Sequence, residues 1–254
     1  MQYKAIISDI DGTLVPVKMD ALPSKRVKKA VQKATEKGVL FSLATGRPFH
    51  LVEYLVDDLL LKSPIIVDNG AAIYSADTRR SLYDAIIDNN RANKIVAIIN
   101  SYHKPFHVSC TTDNLFKVTS LSPDLKVRKF VIHGLTPRET ETIIKHLGDT
   151  FKNLQLIRTG AKEGKELLDI YVTDITASKQ HAILKLAEIL QIKTTEIIAI
   201  GDHYNDFPLF MACGLKIAMG NAVDDLKAIA DYIAPSLEED GVADVIEKFV
   251  LNKN

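Results

Sequence analysis

The sequence predicts an α/β fold: a doubly wound parallel-sheet core carrying an inserted α+β domain. Two patterns lead there. At both ends of the 254-residue chain, short apolar runs alternate with helical segments, as the βα units of a parallel sheet require. In the middle, half-buried alternating strands and a capped helix replace that rhythm, as in an antiparallel sheet covered by helices.

Ala5-Ile6-Ile7 reads as a buried strand that ends at Asp9. Pro23-Ser24 opens a helix with Val27, Ala30, Val31 and Ala34 on one face, and Gly38 closes it. Val39 to Ala44 is a second strand, running into Thr45-Gly46-Arg47. Leu51, Leu55 and Leu59 mark the next helix, and Ile65-Ile66-Val67 a third strand ending at Asp68-Asn69-Gly70.

After about Ser81 the pattern changes. Ala92, Ile95, Val96 and Ile99 predict a helix; Phe106, Val108 and Cys110 alternate as a strand does, and Arg128 to His133 reads as another. Thr136-Pro137-Arg138-Glu139 forms a capping box with proline at N1, predicting a helix to about Leu147, before Gly148. Strands follow near Leu154–Arg158 and Leu167–Val172.

From Thr176 the first rhythm resumes. A helix carries Ile183, Leu184 and Ala187, and the strand Ile197–Ile200 ends at Gly201-Asp202. A helix over about 206–212, a strand at Lys216–Ala218, a helix after Asn221 and a last helix near Val242–Val250 complete the chain. The expected division is a core of residues 1–80 and 175–254 with an insert at 81–174.

Composition narrows the function classes. Lys plus Arg (32) equals Asp plus Glu (32), so no global charge draws the chain to nucleic acid or an anionic membrane. The two cysteines, Cys110 and Cys213, form no C-x-x-C pair, which argues against a zinc site or disulfide framework and for a reducing compartment. Asp9 and Asp11 fall where a signal peptide needs its apolar core, and no apolar run approaches ~18 residues. A cytoplasmic protein with a small-molecule partner, without nucleic acid or membrane, is expected; oligomeric state leaves no signature.

Four strand ends carry polar residues: Asp9 and Asp11; Thr45; Asp68-Asn69; and Asp202 with Asn205 and Asp206. In an open parallel sheet those ends line one crevice. Asp9, Asp11 and Asp202 are hard oxygen ligands with no Cys or His cluster, favouring Mg²⁺ over zinc. Without a cation, carboxylates packed together would repel and rise in pKa. Lys179 and Thr45 offer a cation and a hydroxyl to phosphate oxygens, and the amides around Asp11-Gly12-Thr13 add donors, Gly12 allowing close approach. An aspartate with a reference pKa of about 3.9 is ionised at neutral pH and can attack phosphorus. A second aspartate two residues on can protonate the leaving alcohol.

Single residues have plainer readings. Lys179 alone is a solvated helix charge, Thr45 a helix N-cap, and Arg47 either an exposed ion pair or a contact to the substrate or to the inserted domain. His103, His107 and His133 are scattered without metal-ligand spacing and read as surface or core residues; Met211 and Met219 read as core.

Asp9-Ile10-Asp11-Gly12-Thr13-Leu14 resembles the first motif of the haloacid dehalogenase superfamily. Thr45 in Ala44-Thr45-Gly46-Arg47-Pro48 resembles its second, Lys179 its third, and Gly201-Asp202-His203-Tyr204-Asn205-Asp206 its fourth. The insert between the second and third motifs, with Asp68-Asn69-Gly70-Ala71 and Asp240-Gly241-Val242-Ala243, resembles the Cof-type subfamily, whose members dephosphorylate sugar phosphates, nucleotides, flavin mononucleotide or pyridoxal phosphate. Gln180 after Lys179 and Phe207-Pro208 after the fourth motif depart from common patterns without removing a catalytic group.

The resemblance implies Asp9 as nucleophile and Asp11 as general acid/base. It places Mg²⁺ on Asp9, Asp11 through its backbone carbonyl, and Asp202, with Asp206 orienting Lys179 or belonging to the metal shell. Phosphate would meet Gly12, Thr45, Gly46, Arg47, Asn69, Lys179 and Asn205, and the insert would be a cap that selects substrate. The expected activity is hydrolysis of a small phosphomonoester through an aspartyl-phosphate. A phosphomutase of the phosphomannomutase type and a non-catalytic phosphate- or metal-binding module are the alternatives.

Overall fold

A computed structural model describes residues 3–160 and 167–252. It divides the chain into two compact units, one through Tyr83 and from Ser178 onward, the other Asp84–Ala177. Both junctions lie three residues later than the sequence placed them. The strand around Ser81 pairs within the first unit. At the second junction, backbone bonds from Ile175 to Asn153 and from Ala177 to Asp174 keep 175–177 with the insert.

In the first unit β1 (Ala5–Ser8) is fully buried, and α1 (Lys25–Glu36) follows, capped by the Ser24 side chain, which accepts from the Val27 amide at 3.1 Å. Gly38 continues past the helix at φ +81, the left-handed conformation that glycine adopts without a Cβ penalty. β2 (Leu40–Leu43) pairs parallel with β1.

The expected Leu51–Leu59 helix is broken. A 3-10 turn, Phe49–Leu51, is separated from α2 (Glu53–Asp58) by Val52, whose φ −130 is not helical. β3 (Ile65–Val67) continues the sheet through a parallel bridge between Ala44 and Ile66. It then turns into an antiparallel run with β4 (Ala72–Tyr74) and β5 (Ser81–Asp84), two strands absent from the sequence reading.

The insert contributes α3 (Asn89–Ser101), β6 (Phe106–Cys110), β7 (Asn114–Phe116), β8 (Val127–Leu135), α4 (Pro137–Thr150), β9 (Leu154–Gly160) and β10 (Leu168–Asp174). Its strands form an antiparallel sheet in the order β7-β6-β8-β10-β9. Phe106, Val108, Phe130, Ile132, Ile170 and Val172 pack with Ile95, Ile99, Ile143 and Leu147 from the helices into one core, as period-two alternation directs. α4 runs three residues beyond the expected Leu147. Gly148 sits inside it, where a Cβ would meet Leu156 only in ordinary contact, and extended Phe151 ends the helix.

The first unit resumes with α5 (Lys179–Leu190), β11 (Ile197–Gly201), α6 (Phe207–Ala212), β12 (Leu215–Ala218), α7 (Asp224–Ala228), β13 (Tyr232–Ile233) and α8 (Gly241–Ile246), which passes into a π-helical turn over Glu247–Leu251. Ile183 and Ala187 are buried on α5, Leu184 is exposed, and β13 was not foreseen. Met219 lies in the core as expected. Met211 does not: it is 67% exposed on the outer side of short α6.

The main sheet has the order β13-β12-β11-β1-β2, every pair parallel. The doubly wound core therefore stands. Chain connections leave β1 towards β2 on one side, while β11 lies on the other. That switch point between β1 and β11 is where an open parallel sheet presents its crevice.

Candidate active site

β1 and β11 end side by side, and the Asp9 amide donates to the Ile200 carbonyl at 2.9 Å. Asp9 and Asp202 therefore emerge from adjacent strand ends although 193 residues separate them. Ser178 caps α5, and Lys179, its first residue, is only 2% exposed. A Cβ on Gly70 would overlap the Ser178 backbone, so the glycine lets this helix start close to the β3 loop.

The Lys179 ammonium donates to Asp9 Oδ1 at 2.7 Å and to Asp206 Oδ1 at 2.6 Å. Asp206, fully buried, accepts the Asp202 amide at 3.0 Å and the His203 amide at 3.2 Å on its other oxygen. Gly201 makes that turn possible, since a Cβ there would strike the Asp206 side chain. Carboxylate oxygens of Asp9, Asp202 and Asp206 lie within 4.8 Å of one another, the acidic cluster suited to a metal among the described residues.

Electrostatics follow from burial. Desolvation, opposed by Lys179 and reinforced by Asp206 and Asp202, pushes Asp9 up to about 7. Burial likewise raises Asp202, against the hydrogen bond from Thr13 and with Asp206 adding. For Lys179 burial disfavours the charge, but Asp9 and Asp206 outweigh it and raise the ammonium above its ordinary value. The rise agrees in direction with the one expected of carboxylates packed together without a cation, with desolvation as its larger cause.

Gly12, at φ +83, lies against Asp202; a Cβ there would overlap that carboxylate. Thr13 donates to Asp202 Oδ1 at 3.0 Å. Thr45 is buried, and its hydroxyl oxygen accepts the Arg47 amide at 3.1 Å, leaving the hydroxyl hydrogen free to donate. Gly46 packs on the Asn69 amide, and Asn205 is exposed. A cleft of about 470 Å³ is lined by Asp9, Asp11, Thr45, Arg47, Asp202 and Asn205, together with Val17, Gly46 and His203.

Asp11 and Arg47 line the cleft as a pair, and Asn69 lies beside it. The Asp11 side chain is outside the carboxylate cluster and meets the Arg47 guanidinium. Arg47 is thus engaged by a carboxylate of the chain itself. Asn69, held by its amide to the Thr45 carbonyl at 2.9 Å, does not line the cleft.

Two contributors were missed. Thr13 stood inside a recognised motif with a role for its amide but none for the hydroxyl that donates to Asp202. Asn221 donates to the Gly12 carbonyl at 2.8 Å and accepts the Leu237 amide at 2.9 Å. Its signal was its place in the loop that follows β12, which ends at Ala218.

The family model for haloacid dehalogenase-like hydrolases matches residues 6–122 and 117–246. The chain is 27% identical to 5-amino-6-(5-phospho-D-ribitylamino)uracil phosphatase YwtE of Bacillus subtilis, with 97% of this chain and 98% of that protein covered. It is 26% identical to a phosphoglycolate phosphatase of Methanobrevibacter smithii, covering 99% and 100%. Its fold matches the solved subclass IIB sugar phosphatase BT4131 with a TM-score of 0.74 and 22% identity, over 97% of this chain and 98% of that one. With parallel sheet, insert and strand-end carboxylates in place, the chain belongs to the haloacid dehalogenase-like hydrolases and is a phosphatase.

Proposed function

We propose that this phosphatase is a magnesium-dependent phosphomonoester hydrolase that carries the phosphoryl group on Asp9. The supporting observation is the buried Asp9–Lys179–Asp206 bridge with Asp202 in reach. The lysine is held between two buried carboxylates, and burying such charges is costly.

The residues fit a hard divalent cation. The cluster offers carboxylate oxygens alone, the donor type that Mg²⁺ takes. Burial that lifts Asp9 to about 7 is a penalty that a neighbouring cation relieves. Asp9, Asp202 and the Asp11 carbonyl would hold the ion. Asp206, both oxygens occupied, would orient Lys179 and the amides of residues 202 and 203. Bound there, Mg²⁺ supplies positive charge against the phosphoryl oxygens.

The protein's own groups then divide the work. Lys179 holds Asp9 Oδ1, leaving Oδ2 to attack phosphorus. As that bond forms, the ester P–O bond breaks and Asp11 gives its proton to the leaving oxygen. Asp11, now a carboxylate, takes a proton from water as the water oxygen attacks phosphorus. The Asp9–phosphorus bond breaks and inorganic phosphate departs. Thr45, Lys179, Asn205 and the amides near Gly12 and Gly46 donate to the phosphoryl oxygens throughout.

The substrate is a small phosphorylated metabolite. The relatives' substrates, an aminouracil with a phosphorylated ribityl chain, phosphoglycolate and sugar phosphates, are all of this kind. A screen with p-nitrophenyl phosphate, sugar phosphates, nucleotides, flavin mononucleotide and pyridoxal phosphate should give turnover that EDTA stops and Mg²⁺ restores. Asp9→Asn should be folded and inactive; normal turnover in that variant removes Asp9 as nucleophile. Isomerised sugar in place of free phosphate would make the protein a mutase.

A further inference from the structure

Arg47 stands at the cleft, yet its guanidinium is largely committed within the chain. Nε donates to Asp11 Oδ2 at 2.8 Å, and Nη2 pairs with Asp11 Oδ1. Nη2 also reaches the Lys18 carbonyl at 3.2 Å, and Nη1 the Tyr54 hydroxyl at 3.2 Å. Four of the five guanidinium N–H groups are therefore used: one on Nε, two on Nη2 and one on Nη1. Tyr54 is itself fixed, donating to the Ala21 carbonyl at 3.2 Å.

The backbone of Arg47 is equally tied. Its amide donates to Thr45 Oγ1 at 3.1 Å, and its carbonyl accepts the Asp68 amide at 3.0 Å. Its side chain is 12% exposed, against 31% for Asp11. Among the described residues the Asp11 carboxylate has no other side-chain partner. The fork is the fixed member of the pair, and the carboxylate takes its plane from it.

We propose that Arg47 is the positioning residue for Asp11, acting on the reaction through that carboxylate and not as a ligand of the substrate's phosphate. The inference rests on the reading in which Asp11 protonates the leaving oxygen. A bidentate fork uses one lone pair on each carboxylate oxygen and leaves a second on each. Asp11 can thus be held and still carry the proton that passes to the ester oxygen as the P–O bond breaks and the Asp9–phosphorus bond forms.

Leaving-group chemistry separates the two roles. p-Nitrophenolate departs as a stable anion; an alkoxide requires a proton. A group acting through Asp11 therefore matters more for an alkyl phosphate than for p-nitrophenyl phosphate. A phosphate ligand matters equally for both, because the phosphoryl group is the same. The readout is the ratio of kcat/KM on the best alkyl phosphate to that on p-nitrophenyl phosphate, since kcat/KM reports the steps through leaving-group departure.

In Arg47→Gln the ratio should fall about tenfold, and Arg47→Lys, which keeps the charge and loses the fork, should fall similarly. Asp11→Asn should lower it on the order of 10²-fold, and adding Arg47→Gln to Asp11→Asn should lower it no further. Tyr54→Phe, a milder change that serves if the Arg47 variants fold poorly, should lower it about twofold. An unchanged ratio in Arg47→Gln or Tyr54→Phe, or full recovery in Arg47→Lys, overturns the positioning role while leaving Asp11 as the acid. An unchanged ratio in Asp11→Asn removes the acid assignment itself.

Discussion

The two units place their polar groups on different parts of a sheet. In the core unit they stand at the ends of parallel strands, where Asp9, Lys179, Asp202 and Asp206 converge. In the insert they lie on a sheet face: His133 Nδ1 meets Asp169 Oδ2 at 2.9 Å, and His107 Nδ1 meets His133 Nε2 at 2.9 Å. The two imidazoles stack with centroids 5.1 Å apart. With Asp169 accepting from His133 Nδ1, the neutral pair has His107 donating to His133 Nε2. A strand-end site is written in short contiguous motifs. A strand-face site exists only once the register is set.

That contrast explains what could be read in advance. Asp9, Asp11, Thr45 and Asp202 follow apolar runs, and the parallel order of the sheet carries them to one edge, where Lys179 joins them from the first position of α5. His107 and His133 read as scattered because their meeting depends on β6–β8 pairing, which shifts by a bulge near Cys110. β4, β5, β7 and β13 are two to four residues long, too short for a periodic signal. Met211 fits a helical stripe, but α6 is six residues long and turns that side outward. Arg47 was visible as a motif residue; its partner was not, because sequence spacing carries no side-chain direction.

The largest expected effect breaks the core unit alone. Lys179→Met strands two buried carboxylates, Asp9 and Asp206, and should cost about 3–5 kcal/mol with loss of turnover. Hydrogen exchange should accelerate in β1 and β11 first. An undiminished unfolding free energy would mean that the buried bridge contributes nothing.

The units should also answer pH in opposite directions. Asp9 is raised in the folded state, so without metal its contribution to stability falls as pH rises from its ordinary value near 3.8 to about 7. His107 is lowered, by burial and then by His133 and Lys129, with Asp169 opposing. Its contribution is full above the ordinary histidine value and is lost as pH falls below 6.5. In EDTA, and relative to the intrinsic amide exchange rate at each pH, protection of β1 and β11 should fall towards neutral pH while protection of β6 and β8 rises. Asp9→Asn should flatten the first trend only.

Asp169→Ala should be smaller. It removes the acceptor of His133 and of the Gly134 amide, which it holds at 3.0 Å, at a cost of about 1–3 kcal/mol. Chemical denaturation followed at the insert should report it. Smallest is Thr136→Ala, which opens the capping box of α4. Its expected cost is about 1 kcal/mol, read as a shift in denaturation midpoint at constant slope.

Covalent capture tests the central claim most directly. The enzyme is mixed with Mg²⁺ and p-nitrophenyl phosphate, quenched in acid within a turnover, and its peptides are weighed. A nucleophilic Asp9 yields a peptide carrying one phosphoryl group on that residue, and Asp9→Asn yields none. Turnover with an unmodified Asp9 peptide, or with the phosphoryl group on another side chain, contradicts it.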